Sequence, residues 1–272
     1  MIKLLAVDMD GTCLNTKSNI SEETLVWLQR AKARGVEIVP TTGRALSCLP
    51  HQLEGQNLFR YVITSNGAVV TDLKEKRTLF QELIPLDTAL SLIRRCQGNG
   101  IGLTAHIRHR YLLEGRMLAF LGRLTYGQDA KQARAVRSLE AYTADRRSDV
   151  EELQFYFFTE KARRRTRQIL QSVPEISAAY TDHYVEIYSR RASKGYALAA
   201  VAAHLSVSRQ ATACIGDGEN DISMFQQSGL CFAMGNAVPD LKAMADQVVS
   251  SNDENGVAEA VRYILEDYVK KA

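Results

Sequence analysis

The sequence predicts an α/β protein: a parallel sheet covered by helices, with an α+β domain inserted into it. Three observations predict this. Strand and helix signals alternate over about the first 80 residues, the same rhythm resumes over about the last 80, and it is missing from about Ile84 to Ile187. Alternation of this kind marks βαβ units and hence a parallel sheet.

The elements follow in order. Ile2–Val7 is a nearly continuous apolar run, as in a strand buried on both faces. Ser21 is placed to cap a helix with Glu22 and Glu23 in its first turn. Leu25, Leu28 and Ala31 carry that helix, with Trp27 packed on the sheet, to a stop at Gly35. Val36–Val39 and Tyr61–Thr64 are two further strands. In the middle stretch, Leu153–Phe158 reads as a strand and Glu160–Leu170 as an arginine-rich helix. Tyr184–Tyr188 alternates like a half-buried strand. After it come a helix at Ser193–Leu205, strands at Thr212–Ile215, Leu230–Met234 and Gln247–Val249, and a closing helix at Val257–Val269.

Composition excludes several classes. The 272 residues carry 34 Lys+Arg against 31 Asp+Glu, and are 46% hydrophobic and 24% charged. That describes a globular chain able to bury its own core, not a disordered or collagen-like one. No window holds the roughly 18 unbroken apolar residues of a membrane span, and Leu4–Val7 is too short an apolar run for a signal peptide. Cys13, Cys48, Cys96, Cys214 and Cys231 form an odd, scattered set, which reads as reduced thiols in a cytoplasm. Residues 84–187 carry 16 Lys+Arg against 12 Asp+Glu. The basic run Arg163–Arg167 comes without the aromatic platform of a nucleic-acid site and reads as a solvated helix face. His106 and His109 lie in a basic stretch with Arg108 and Arg110, for which contact with a phosphate-bearing substrate is the alternative to a plain surface role. No nucleic acid and no membrane is expected as a partner.

Four segments carry chemistry. Asp8-Met9-Asp10-Gly11-Thr12 puts two carboxylates two apart just past a buried strand, costly unless paired or metal-bound. Asp8 is suited to attack phosphorus, and Asp10 to protonate a leaving oxygen and then deprotonate water. Thr41-Thr42-Gly43-Arg44 offers a hydroxyl and backbone N–H groups near a helix start, as a phosphate requires. Ser193-Lys194-Gly195 puts a cation in the first turn of a helix, where acids are usual. Gly216-Asp217-Gly218-Glu219-Asn220-Asp221 supplies oxygen donors of the kind Mg²⁺ takes. All four can converge at the carboxyl ends of a parallel sheet, where ligands of open α/β folds bind.

With Ser65-Asn66-Gly67-Ala68, Met234-Gly235-Asn236-Ala237 and Ser251–Val257 added, this ordered set resembles the haloacid dehalogenase superfamily of phosphohydrolases, and within it the Cof-type group. The resemblance implies a Rossmann-like three-layer core of residues 1–83 and 188–272. Into it is inserted an α+β cap of residues 84–187 that selects the substrate. It implies Asp8 as nucleophile and metal ligand. Asp10 becomes the general acid/base, with its carbonyl on the metal, and Lys194 the charge balance between phosphate and Asp8. Asp217 and Asp221 complete an Mg²⁺ site. Met9, Gly11, Thr42, Gly43, Asn220, Arg44 and Asn66 are placed around the phosphoryl group. The implied reaction is Mg²⁺-dependent hydrolysis of a small phosphomonoester, a sugar phosphate or phosphorylated cofactor, through an aspartyl-phosphate. A phosphotransferase or phosphomutase on the same core, and a non-catalytic regulatory or binding protein, stay open as rivals. The cap segment carries no motif that identifies the substrate, and oligomeric state is equally open.

Overall fold

In the computed structural model, Leu4–Asp8 is buried from end to end and forms β1. The structure describes residues 1–53, 58–98, 100–118, 120, 129 and 132–267. Ser21 caps α1 (Glu22–Ala33) by accepting from the Thr24 amide, and Gly35 just beyond the helix takes the left-handed turn, φ 80°. Both are the groups that helix ends require. After β2 (Glu37–Thr41) no helix starts at Arg44; two three-residue 3-10 turns, Leu46–Cys48 and His51–Leu53, take its place. β3 (Tyr61–Thr64) leads into a hairpin that the alternation did not foretell, β4 (Val69–Asp72) and β5 (Arg77–Gln81).

Next come α2 (Leu86–Cys96), β6 (Ile101–Ile107), β7 (Arg110–Glu114), β8 (Arg134–Val136) and α3 (Leu139–Arg146). They are followed by β9 (Glu152–Phe157), α4 (Glu160–Gln171), β10 (Ile176–Tyr180) and β11 (Tyr184–Ser189). The chain then forms α5 (Lys194–His204), β12 (Thr212–Gly216), α6 (Ile222–Gln227), β13 (Leu230–Ala233), α7 (Pro239–Met244), β14 (Gln247–Val248) and α8 (Gly256–Arg262). Past α8 the helix widens at Tyr263–Asp267, and the expected end at Val269 lies outside the described residues. Among the described residues no helix is long and apolar enough to cross a membrane.

The chain divides into two units. The first takes Met1–Gly43, Gln52–Gln81 and Ser193–Ala272, the second Arg44–His51 and Glu82–Ala192. The first is built on a sheet ordered β14-β13-β12-β1-β2-β3-β4-β5. Every pair from β14 to β3 is parallel, and the hairpin adds two antiparallel strands at one edge. Leu4, Leu5, Ile38, Ile63, Ile215 and Phe232 are buried in its core with Leu28 of α1, Leu198 of α5, Phe225 of α6 and Val261 of α8. At about 25 cal/mol per Å² of apolar surface, this two-sided burial holds the sheet flat against its helices and makes its strand ends a fixed platform.

The second unit has a sheet ordered β10-β11-β9-β6-β7-β8, antiparallel except for the β7–β8 pair. Leu103, Ala105, Leu153, Phe155, Val185 and Ile187 share a core with Leu92 and Ile93 of α2 and Leu170 of α4. The alternating residues Thr104, His106, Gln154, Tyr156, Tyr184 and Glu186 occupy the other face. There His106 meets Tyr111 edge-on at 5.1 Å, and its Nδ1 lies 4.0 Å from Glu152 Oε1.

Burial lowers the His106 imidazole from its ordinary 6.5 to about 3, so the folded protein keeps it neutral. The unfolded chain binds a proton below about pH 6.5, and the folded chain does not until about pH 3. Stability from this group is therefore present above pH 6.5 and is lost as pH falls toward 3. At pH 5 the loss is about 2 kcal/mol. Urea unfolding at pH 7 and pH 5 should show a fall in wild type that exceeds the fall in His106→Leu by about that much; equal falls would contradict the neutral, buried imidazole.

Candidate active site

The first unit brings its polar groups to the carboxyl ends of neighbouring parallel strands. Asp8 is the last residue of β1, and Asp217 follows the last residue of β12. Thr42 follows β2, and Ser65–Gly67 follows β3. The register pairs Val7 with Ile215 and Asp8 with Thr41, so these ends lie side by side. The chain leaves β1 toward β2 on one side and returns as β12 on the other, which is the switch point where open α/β sheets bind ligands.

Lys194 reaches this edge from the N-terminus of α5. Ser193 caps that helix by accepting from the Tyr196 amide, which fixes where the lysine emerges. Lys194 is 1% exposed, and its Nζ donates to Asp8 Oδ1 at 2.6 Å and Asp221 Oδ1 at 2.7 Å. The second oxygen of Asp221 is also used. It accepts from the amides of Asp217 at 2.9 Å and Gly218 at 3.0 Å, which closes the Gly216–Asp221 loop on itself. Asp217 Oδ1 accepts from Thr12 Oγ1 at 2.6 Å.

One ammonium thus faces three carboxyls. Burial raises the Asp8 carboxyl well above the usual carboxylate range; Asp221 adds to this, Lys194 opposes it, and Asp217 adds further. Burial also raises Asp217, against the Thr12 hydrogen bond and with Asp221. For Lys194 burial works against the charge, but Asp221 and Asp8 outweigh it and hold the ammonium above the ordinary lysine value. Asp8, Asp217 and Asp221 each place one carboxylate oxygen within 4.8 Å of the others. A cluster of hard oxygen donors that is short of positive charge fits a divalent cation of the Mg²⁺ kind.

A second knot adjoins this one through the chain. Asn220, next to Asp221, donates from Nδ2 to Asn66 Oδ1 at 3.0 Å. The Asn66 amide donates to the Thr42 carbonyl at 3.1 Å, and a Cβ on Gly43 would come within 3.2 Å of the Asn66 side-chain amide. Ser65, Asn66 and Gly67 are all left-handed, φ 50°, 54° and 92°. Glycine takes this conformation freely, but Ser65 and Asn66 are held in it against their preference, and the result is to face Asn66 toward Thr42 and Asn220. Thr42 itself is fully buried and its amide is spent on the Ile63 carbonyl.

The remaining candidates are placed as follows. Met9 is buried and accepts the Leu14 amide at its carbonyl. Gly11 has φ 83°, and a Cβ there would collide with the Asp217 carboxylate, so the close approach of the two loops needs glycine. Asp10 is exposed and lies outside the carboxylate cluster. Arg44 belongs to the second unit, where its guanidinium donates to Asp129 Oδ2 at 2.7 Å; Asp129 Oδ1 accepts from the amide and meets the ring of His51.

Several supporting residues escaped the sequence reading. Thr12 aims Asp217. Asn236 donates to the Gly11 carbonyl, Asn252 to the Leu14 carbonyl, and Asp253 accepts from Thr16, so two loops brace the segment after Asp8. Asn236 and Asn252 lie in the motifs that carry the family resemblance, but hydrogen bonds spanning more than 200 residues have no local signal.

Removing the buried cation should expose its importance. Lys194→Met leaves Asp8 and Asp221 facing each other unpaired, at a cost of about 3–5 kcal/mol. Urea unfolding in chelator should show a loss of that order; a change within about 1 kcal/mol would mean that the carboxyls relax without Lys194.

Comparison with known proteins places this geometry. The family model of haloacid dehalogenase-like hydrolases matches residues 5–261. The phosphatase YwpJ of Bacillus subtilis is 32% identical over 97% of this chain and 100% of its own length. The 5-amino-6-(5-phospho-D-ribitylamino)uracil phosphatase YcsE of the same organism is 28% identical over 96% of this chain and 95% of its own. A solved haloacid dehalogenase-like hydrolase from B. subtilis superimposes with a TM-score of 0.84 at 29% identity, covering 97% of this chain and 100% of the other. The chain belongs to the haloacid dehalogenase-like hydrolase family, in its Cof-type group of phosphatases.

Proposed function

We propose that this enzyme hydrolyses small phosphomonoesters in the presence of Mg²⁺, through an aspartyl-phosphate on Asp8. The observation that carries the proposal is the Asp8 carboxylate at a strand end, held by a buried lysine and flanked by Asp217 and Asp221.

In this reading an Asp8 carboxylate oxygen attacks phosphorus and the bond to the leaving oxygen breaks. Asp10, two residues on and exposed to solvent, gives that oxygen a proton. Asp10 then takes a proton from water, the water oxygen attacks the same phosphorus, and the Asp8–phosphorus bond breaks to release phosphate. Lys194 holds Asp8 Oδ1 in place through both steps and offsets the charge that gathers there. Thr42, Gly43, Asn66 and Asn220 supply the polar rim that orients the phosphoryl oxygens, with the loop of Met9 and Gly11 on the other side. Bound by the carboxyls of Asp8, Asp217 and Asp221 and the Asp10 carbonyl, Mg²⁺ would neutralise phosphoryl charge. Arg44 enters this reading as an anchor of the second unit, its charge being matched by Asp129.

The choice of leaving group is assigned to the inserted segment, residues 84–187. The substrate class proposed is a sugar phosphate or phosphorylated cofactor, in keeping with the phosphoribityl compound named for one relative. The five buried free thiols suit a reducing cytoplasm as the place of action.

Phosphate release from p-nitrophenyl phosphate tests the reading. Asp8→Asn should lower kcat by at least about 10³-fold with thermal stability retained, since electrostatic and nucleophilic groups of this kind are worth that much; wild-type turnover in the variant would remove Asp8 from the role. Chelation should abolish release by wild type and Mg²⁺ should restore it; release that survives chelation would contradict the cation requirement.

A further inference from the structure

The second unit carries a charged cleft whose residues have no named role in the hydrolytic reading. It measures about 250 Å³ and is lined by Arg108, Arg110, Tyr142 and Arg146. Arg146 lies 5.3 Å from the Tyr142 ring centroid, and Arg134, outside the lining, lies 6.0 Å from the same centroid. Arg108 donates to the Arg146 carbonyl at 3.4 Å, which draws the β6–β7 hairpin and the end of α3 together. Among the described residues, no carboxylate forms an ion pair with Arg108, Arg110 or Arg146. Guanidiniums that converge without a counter-charge repel one another, and an anion would relieve that repulsion.

The backbone supplies a second, independent observation. Ile107 pairs with Arg110, so Arg108 and His109 form a two-residue hairpin turn, and both are left-handed at φ 49° and 67°. Such turns strongly favour Asn-Gly. Here bulky residues are forced into that shape, and it is held by neighbours: the His109 amide donates to Glu151 Oε1 at 2.6 Å and its carbonyl accepts from the Ser47 amide. Strain kept in place by surrounding bonds points to a site whose side chains matter more than its turn.

We propose that this cleft binds the polyphosphate group of a small anion, whether inorganic pyrophosphate or tripolyphosphate or the phosphate chain of a nucleotide. Planar guanidinium forks match phosphate oxygens two at a time, and three of them balance more charge than one phosphate carries. The volume is below the roughly 300–1,000 Å³ of pockets for drug-sized ligands, as suits a compact anion. Tyr142 already carries the guanidiniums of Arg134 and Arg146 at 6.0 and 5.3 Å from its ring centroid, contacts with which a stacking nucleic-acid base would compete. Every lining residue belongs to the second unit and every carboxylate of the hydrolytic centre to the first, so the two share no residue.

Calorimetric titration of the full-length Asp8→Asn protein, free of Mg²⁺, tests this with pyrophosphate, tripolyphosphate and ATP. Pyrophosphate should bind with one site per chain that weakens at least tenfold in Arg110→Glu/Arg146→Glu. The same weakening in the milder Arg110→Gln/Arg146→Gln guards against misfolding. Arg108→Asn/His109→Gly should raise the melting temperature by removing turn strain and yet weaken pyrophosphate binding severalfold, a split that a purely structural turn would not give. Tighter binding of ATP than of tripolyphosphate would identify a nucleotide source, and equal binding the phosphate chain alone. Unchanged affinity in the arginine variants, sulfate binding as tight as pyrophosphate, or a preference for single-stranded RNA over every small anion would overturn the proposal.

Discussion

The buried ammonium of Lys194 is the interaction on which the rest of the site depends. Three carboxyls at the end of a sheet cannot stay close in a desolvated place without a cation. Lys194 meets two of them at hydrogen-bond distance, and the third is steadied by Thr12. The arrangement runs against local preference, since a lysine at a helix N-terminus opposes the helix dipole. That local cost is offset across 186 residues of chain by Asp8 and across 27 by Asp221. A site built this way is short of positive charge, which fits it to a divalent cation.

The scaffold explains how such a cluster can be held. β1 lies between β2 and β12 in a sheet buried on both faces, so Asp8 has little freedom to move away from its neighbours. The loops around it are braced across the sequence: Asn236 and Asn252 on the segment after Asp8, Asn220 on Asn66, and the Asp221 carboxylate on the amides of its own loop. Rigid placement of charged groups of this kind is what lets electrostatic preorganisation act without reorganisation during reaction.

Much of the fold was legible because it has local causes. The α1 cap at Ser21, its stop at Gly35, the strand Tyr61–Thr64 and the helix start at Ser193–Lys194 all coincide with the signals that predict them. The β4–β5 hairpin was missed because its strand Arg77–Gln81 is exposed or half-buried throughout and so lacks an apolar run. The helix start expected at Arg44 was wrong for a tertiary reason: the segment 44–51 packs with the second unit, and Arg44 and His51 are drawn to Asp129, 85 and 78 residues away. Asp8, Lys194, Asp217 and Asp221 were legible as chemistry that the local structure did not need. Thr12 and the bracing asparagines were not, because their partners are set by topology alone.

The central claim is that Asp8 carries the phosphoryl group from the leaving oxygen to water. The most direct test is to mix the Asp10→Asn protein with Mg²⁺ and p-nitrophenyl phosphate, quench in acid during turnover, and map the phosphoryl group by peptide mass spectrometry. The account predicts an acid-stable, base-labile adduct on Asp8, because loss of Asp10 slows its hydrolysis more than its formation with so good a leaving group. A phosphoryl group on any other residue, or steady phosphate release with no adduct at any quench time, would contradict it.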